Sequence, residues 1–238
     1  MKSTVARIKN SSNLLSKLII VIVLILGCSS KQTESKLEDM DKNRALFEAV
    51  GRGDATIVKK VLQDKLSLEF KNDQGRTALM EAVYKKNNDI AFLLINAGAD
   101  VNAQDNMKNS PFLYAGAEGN LEFVKMALNH GANFKIYNRY GGTALIPAAE
   151  KGHYEVVKLL VNTPNFPKDH VNNLGWTALL EAILLSDGGQ VHIDIVAALI
   201  EGGCDVNIAD KNGITSLMHA KKQDYAEMVK LLEKAGAK

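Results

Sequence analysis

The chain has 238 residues, a formal net charge of +2, and 24% charged against 46% hydrophobic residues. That balance suits a globular chain with a sizeable core and supplies no basic excess of the kind that nucleic-acid binding demands. Two cysteines, far apart at positions 28 and 204, exclude a disulfide scaffold and a paired-cysteine metal site.

The first predicted element is an export segment. Leu18 to Leu26 is an uninterrupted apolar run of nine residues, with Lys17 on one side and Ser29-Ser30-Lys31 beyond the other. A membrane-crossing helix needs about 20 such residues, so the run is too short for a permanent span. Lys2, Arg7, Lys9 and Lys17 lie in or before it with no acid among them, which is the layout of a signal peptide. Leu24-Ile25-Leu26-Gly27-Cys28 resembles the bacterial lipobox. The resemblance implies cleavage after Gly27 and lipid attachment at Cys28. The alternative is a chance cysteine behind an ordinary signal peptide. Removing residues 1–27 turns 29 Lys+Arg against 27 Asp+Glu into 25 against 27, so the expected mature chain is slightly acidic. A lipid anchor would hold it in a bacterial cell envelope, facing the periplasm. By resemblance to enteric sorting signals, the uncharged Ser29-Ser30 favours the outer membrane.

Residues 28–41 are mostly polar and are expected to form the lipidated cysteine and a short tether. From residue 42 to 238 the chain repeats itself. "RALFEAV", "TALMEAV", "SPFLYAG", "TALIPAA", "TALLEAI" and "TSLMHAK" begin at Arg44, Thr77, Ser110, Thr143, Thr177 and Thr215, at spacings of 33, 33, 33, 34 and 38. A second apolar block follows each of them, as in "IVKKVL", "IAFLLI" and "VVKLLV". Gly53-Asp54, Gly119-Asn120 and Gly152-His153 mark turns between the blocks, and Gly98-Ala99 and Gly131-Ala132 mark stops after them. Each unit therefore reads as helix, tight turn, helix and a glycine-led loop, repeated six times.

"GADVNAQD", "GRTALMEAV", "GGTALIPAAEKGHYEVVKLLV" and "GCDVNIADKNGITSLMHA" resemble ankyrin repeats, whose pattern runs D-x-x-G-x-T-P-L-H-x-A-A, G-H, V-V-x-L-L, G-A-D-V-N. The resemblance implies an all-α solenoid of stacked helix pairs with projecting β-hairpin-type loops, in which neighbours bury one another's apolar faces. Three departures stand out. The pattern's histidine is replaced by Met80, Leu113, Ile146, Leu180 and Met218. Pro147 falls four residues after Thr143 and removes an early helix donor, so a tilted fourth helix is expected. "NTPNFPKDH" stands where repeat 4 should carry Gly-Ala-Asp-Val-Asn, so an irregular hairpin is expected there. In repeat 5, Ser186 to Gln190 is expected to lengthen the turn between two helices, with the glycine pair ending the first.

Catalytic motifs are absent from the sequence: no phosphate-binding loop, no nucleophile elbow, no His-Glu-x-x-His. Asp187, His192 and Asp194 lie close enough to hold a cation, but three nearby ligands do not make a closed site, and solvated helix-turn residues are the expected account. Arg52-Gly53-Asp54 is expected to be a turn with Asp54 as helix cap, and Cys204 a buried inert thiol.

Function in a repeat stack sits on the surface formed by loop tips and first helices. The repeat phase assigns to it Tyr140, Leu174, Trp176, Ile214, Arg76, Met107 and Tyr114, together with Glu48, Glu81 and Glu181. Glu48 with Arg52 and Glu81 with Lys85 are also helix-supporting pairs. Tyr140, Leu174, Trp176 and Ile214 are large apolar groups on three consecutive repeats, and aromatic anchors of this sort dominate protein interfaces. The expected function is non-enzymatic binding of a protein partner by an envelope-tethered chain that scaffolds, protects or inhibits it. No cofactor, nucleic acid or small-molecule substrate is implied. The alternatives are a secreted effector that binds host proteins and a metal-dependent enzyme using the repeat-5 insertion.

Overall fold

The computed structural model describes residues 38–64 and 66–238. The expected signal peptide, Cys28 and most of the expected tether lie outside the described residues. None of the described helices is long and apolar enough to cross a membrane.

The described residues form twelve helices in six pairs, with an isolated Ala209–Thr215 bridge and no strand. The first, α1, covers residues 38–52, so residues 38–41 are already helical, and Lys42 pairs with Glu38 at 2.8 Å. Then come α2 (Ala55–Val61), α3 (Ala78–Tyr84), α4 (Asn88–Asn96), α5 (Pro111–Ala117), α6 (Leu121–Asn129), α7 (Leu145–Glu150), α8 (Tyr154–Val161), α9 (Ala178–Leu184), α10 (Gln190–Glu201), α11 (Ser216–Lys222) and α12 (Ala226–Lys234). The odd-numbered helices from α3 to α11 pack in sequence as an inner layer. The even-numbered helices form an outer layer behind them.

Side-chain caps start most of these helices. Thr77, Ser110, Thr177 and Thr215 each accept the amide three residues on, at 3.2 to 3.4 Å, and Asp54, Asn87 and Asn120 cap the outer helices α2, α4 and α6. Arg52-Gly53-Asp54 is thus a turn and a cap. A cap of this kind contributes about 1 kcal/mol, which matters for helices of two turns. The leucine two residues after Thr77, Thr143, Thr177 and Thr215 enters the core: Leu79, Leu145, Leu179 and Leu217 are buried, with Phe112 taking that place after Ser110 in repeat 3.

Repeat 4 breaks the rule because Pro147 carries no amide. In four other repeats the residue four after the cap donates to the cap's carbonyl. Here that bond is missing, α7 starts one residue late, and the Thr143 hydroxyl is buried without a partner. What Pro147 produces in the structure is a shortened first turn.

Two expectations about loops need correction. The insertion in repeat 5 does not end as foreseen, since Gly189 is the N-cap of α10 and Gln190 lies inside that helix, which runs to 12 residues. Gly188, at φ +72°, lies where a Cβ would meet the Tyr225 ring, and the Tyr225 hydroxyl donates to the Ser186 carbonyl at 2.7 Å. The insertion is thereby docked on repeat 6. In repeat 4 the irregularity is confined to the chain after α8. There Asn165 adopts φ 60° and Phe166 is buried against Phe134, with ring centroids 4.9 Å apart. The hairpin tip that follows is regular.

Candidate functional site

The tips are built identically in five places. An Asn or Asp side chain accepts the amides two and four residues ahead: Asn72, Asp105, Asn138, Asn172 and Asp210 all do so, at 2.8 to 3.0 Å. The same residue's backbone amide donates to the carbonyl four ahead. Closing this loop needs a left-handed residue third in line, which Gly75, Gly141, Gly175 and Gly213 supply and Lys108 adopts at φ 58°. Neighbouring tips are tied as well, since Asn173 donates its amide to the Tyr140 carbonyl at 2.9 Å. A tip pinned this way holds its second-in-line side chain outward. Met107, Tyr140 and Leu174 occupy that place and are 50%, 51% and 48% exposed.

Between the tips and the inner helices of repeats 3 to 5 runs a groove of about 320 Å³. Tyr114, Tyr140, Leu174, Trp176 and Glu181, all expected at the binding surface, line it together. Ile146, Pro147 and Leu185 add apolar wall, and Glu118, Glu150, Lys151 and Arg139 add charge. The groove lies at repeat 4, where the inner helix is shortest.

The remaining expected residues lie elsewhere. Arg76 pairs with Glu81 at 3.1 Å and stands 3.9 Å over the Tyr84 ring, which in turn lies 4.2 Å from Tyr114. This column adjoins the groove through Tyr114. Tyr84 donates to Asp105 at 2.8 Å, and burial pushes its pKa up to about 12. Glu48 is exposed and bound to Arg52 at 2.6 Å. Met107 lies at the repeat-3 tip outside the groove lining, and Ile214 is half-buried and also outside it.

Glu181 requires a correction, because repeat phase assigns it to the exposed surface with Glu48 and Glu81 and it is instead buried. It is 5% exposed, and its Oε1 accepts Asn172 Nδ2 at 2.8 Å. Burial pushes its pKa up to about 7, the charge of Glu150 adds to the rise, and the Asn172 hydrogen bond opposes it. Glu150 and Leu185 were missed by repeat phase. Glu150 is the last residue of α7, and no spacing within its own repeat marks it. Glu118 behaves oppositely. Its bond to Lys151 at 2.8 Å, with Lys86 at 3.4 Å, holds its carboxyl below the usual range.

Among the described residues no three His, Cys, Asp or Glu side chains cluster as a metal site. His192 places Nε2 3.0 Å from the Glu150 carbonyl and Nδ1 3.8 Å from Asp187, while Asp194 accepts Gln190. Cys204 is buried, and burial pushes its thiol up to about 12.

A family profile of ankyrin repeats in three copies matches residues 6–105, 87–167, 112–208 and 164–238. The chain belongs to the ankyrin-repeat family. It is similar to the ankyrin repeat protein YahD of Escherichia coli K12, 36% identical over 189 residues that cover 79% of this chain and 94% of the relative. Among solved structures, an ankyrin repeat domain from Acinetobacter baumannii AYE is 51% identical with a TM-score of 0.79, over 81% of this chain and 98% of that one. A chain from the complex of the Bdellovibrio bacteriovorus predatory endopeptidase Bd0816 with immunity protein Bd3460 is 27% identical with a TM-score of 0.62, over 80% of this chain and 97% of that one. Ankyrin repeats bind proteins, and the tips and groove are where this stack exposes large apolar side chains.

Proposed function

We propose that this ankyrin-repeat chain is a non-enzymatic protein-binding module, tethered by lipid on Cys28 in a bacterial cell envelope and facing the periplasm. Its partner docks on the groove of repeats 3 to 5. The observation that carries this reading is the convergence of Tyr140, Leu174 and Trp176 on one groove, with two of them half exposed on pinned tips. A preorganised apolar surface of this kind binds without paying to order its loops.

Holding a partner in check is the favoured outcome. A similar chain sits in a complex between an endopeptidase and an immunity protein, and blocking a partner needs only a rigid surface, with no chemistry of its own. Membrane attachment rests on the lipobox-like run ending at Cys28. One acyl chain gives only marginal binding, so stable attachment requires the several chains of a lipoprotein.

Affinity capture from envelope extract with the full chain tests the binding role, with Trp176→Ala as the paired control. Radiolabelled fatty acid tests the anchor: Cys28→Ser is expected to lose the label and to remain unprocessed. Mature, membrane-bound Cys28→Ser protein without lipid would refute the anchor while leaving the binding role standing.

A further inference from the structure

The groove is not merely apolar. Three carboxylates, Glu118, Glu150 and Glu181, line it with two cations, Lys151 and Arg139. Both cations are occupied: Lys151 is held by Glu118 at 2.8 Å, and Arg139 lies 4.8 Å over the Tyr140 ring. Glu118 also holds Lys86. That leaves Glu150 and Glu181, neither of which has a salt-bridge partner among the described residues. Glu181 is more than nine-tenths buried and lines the cavity, yet only its Oε1 is hydrogen-bonded, by Asn172, and Oε2 has no protein partner among the described residues. A buried carboxylate that opens on a cavity beside a second carboxylate and an aromatic wall is complementary to a cation.

We infer that the groove receives a basic side chain of the docked protein, arginine foremost, against Trp176 and onto the carboxylates of Glu181 and Glu150. The inference rests on the groove being the docking site. Arginine fits better than lysine because its planar guanidinium stacks on aromatic rings and bridges carboxylates bidentately. The recognised motif is an arginine flanked by apolar residues, since Leu174, Ile146, Pro147 and Leu185 surround the acids.

Binding is coupled to protonation. The titratable and charged groups that line the groove with Glu181 are Glu150 at the end of α7 and Lys151 just after it, Tyr114 on α5 and Glu118 just after it, and Arg139 at the tip. The histidines of α10 and α11 are held elsewhere. His192 is turned to the Glu150 carbonyl, and His219 Nε2 lies 2.9 Å from Asp210. Of these, Glu150 is the one that drives Glu181 upward together with burial. An entering guanidinium reverses that pressure, so capture near neutral pH expels the Glu181 proton to solvent.

The chain has a single tryptophan, Trp176, so its fluorescence reports groove occupancy directly. The full chain is titrated with the peptides acetyl-Leu-Arg-Leu-amide and acetyl-Leu-Gln-Leu-amide. The expected result is an arginine preference of about tenfold near pH 8, shrinking several-fold near pH 5.5, and largely lost in Glu181→Gln. Glu150→Gln, at a half-buried position, is expected to lose part of the preference and decides the matter if circular dichroism finds Glu181→Gln unfolded. Equal binding of both peptides, or a preference unchanged in either variant, overturns the cation assignment and leaves the docking groove standing. No Trp176 response to either peptide at millimolar concentration overturns both. A response to raised chain concentration alone would give the groove to a second copy and overturn the assignment.

Discussion

Pro147 has no amide to donate to the carbonyl of Thr143, and the Thr143 hydroxyl is left buried and unpartnered as a result. The corresponding hydroxyls of Thr77, Ser110, Thr177 and Thr215 all cap their helices. Pro147→Ala is expected to restore the backbone bond and the cap, worth about 1 kcal/mol each, against about 0.5–1 kcal/mol lost through a more flexible unfolded chain. Urea unfolding of the full chain should show a net gain near 1 kcal/mol. A loss would mean that the proline ring's own contacts outweigh the missing bonds.

The helices and caps were legible because they depend on neighbours in sequence. Thr77 and its counterparts announce the inner helices, and a fixed offset of four from each one led to Tyr114 and Glu181. The depth of Glu181 was not legible, because it depends on what α7 and the Asn172 tip place over it. Glu150 was hidden for the same reason. Its approach to Glu181 crosses from one repeat to the next, where local spacing carries no information. The repeat-5 insertion misled because Gly189 serves as a helix start, a role glycine shares with helix stops.

Glu181 makes stability depend on pH in a stated direction. Its pKa rises from 4.5 unfolded to about 7 folded, so between those values the folded chain holds a proton that the unfolded chain releases. Stability from this group is therefore lost as pH rises through the window, and the unfavourable ionised form persists above it. Glu181→Gln should be near neutral at about pH 4.5 and stabilising above pH 7, by at most roughly 3 kcal/mol. Denaturant midpoints of the two proteins across this range provide the check. A variant that is less stable at high pH would show that the carboxylate is compensated.

Lys108 occupies the left-handed place that glycine fills in four other tips. Lys108→Gly removes a strain of about 1–2 kcal/mol and adds unfolded-state entropy worth about half that. The melting temperature should rise by a few degrees. A fall would indicate that the Lys108 side chain contributes contacts of its own.

Cys204 is buried, with its thiol pushed up to about 12, so it is expected to be unreactive in the native state. Titration with a thiol reagent at about pH 8 should give the same count for the native full chain and for Cys204→Ala, and counts differing by one group after denaturation. Fast native labelling at Cys204 would contradict its burial.

The most direct test of the binding account compares the full chain with Trp176→Ala in affinity capture from envelope extract, quantified by mass spectrometry alongside melting curves. A hot-spot aromatic cut to alanine loses about 2 kcal/mol or more of binding, roughly thirtyfold in affinity. The expected result is a protein strongly enriched on the wild-type chain and depleted on Trp176→Ala, with melting temperatures within a few degrees. Equal capture by both chains, or a variant that melts many degrees lower, would contradict a docking groove centred on Trp176.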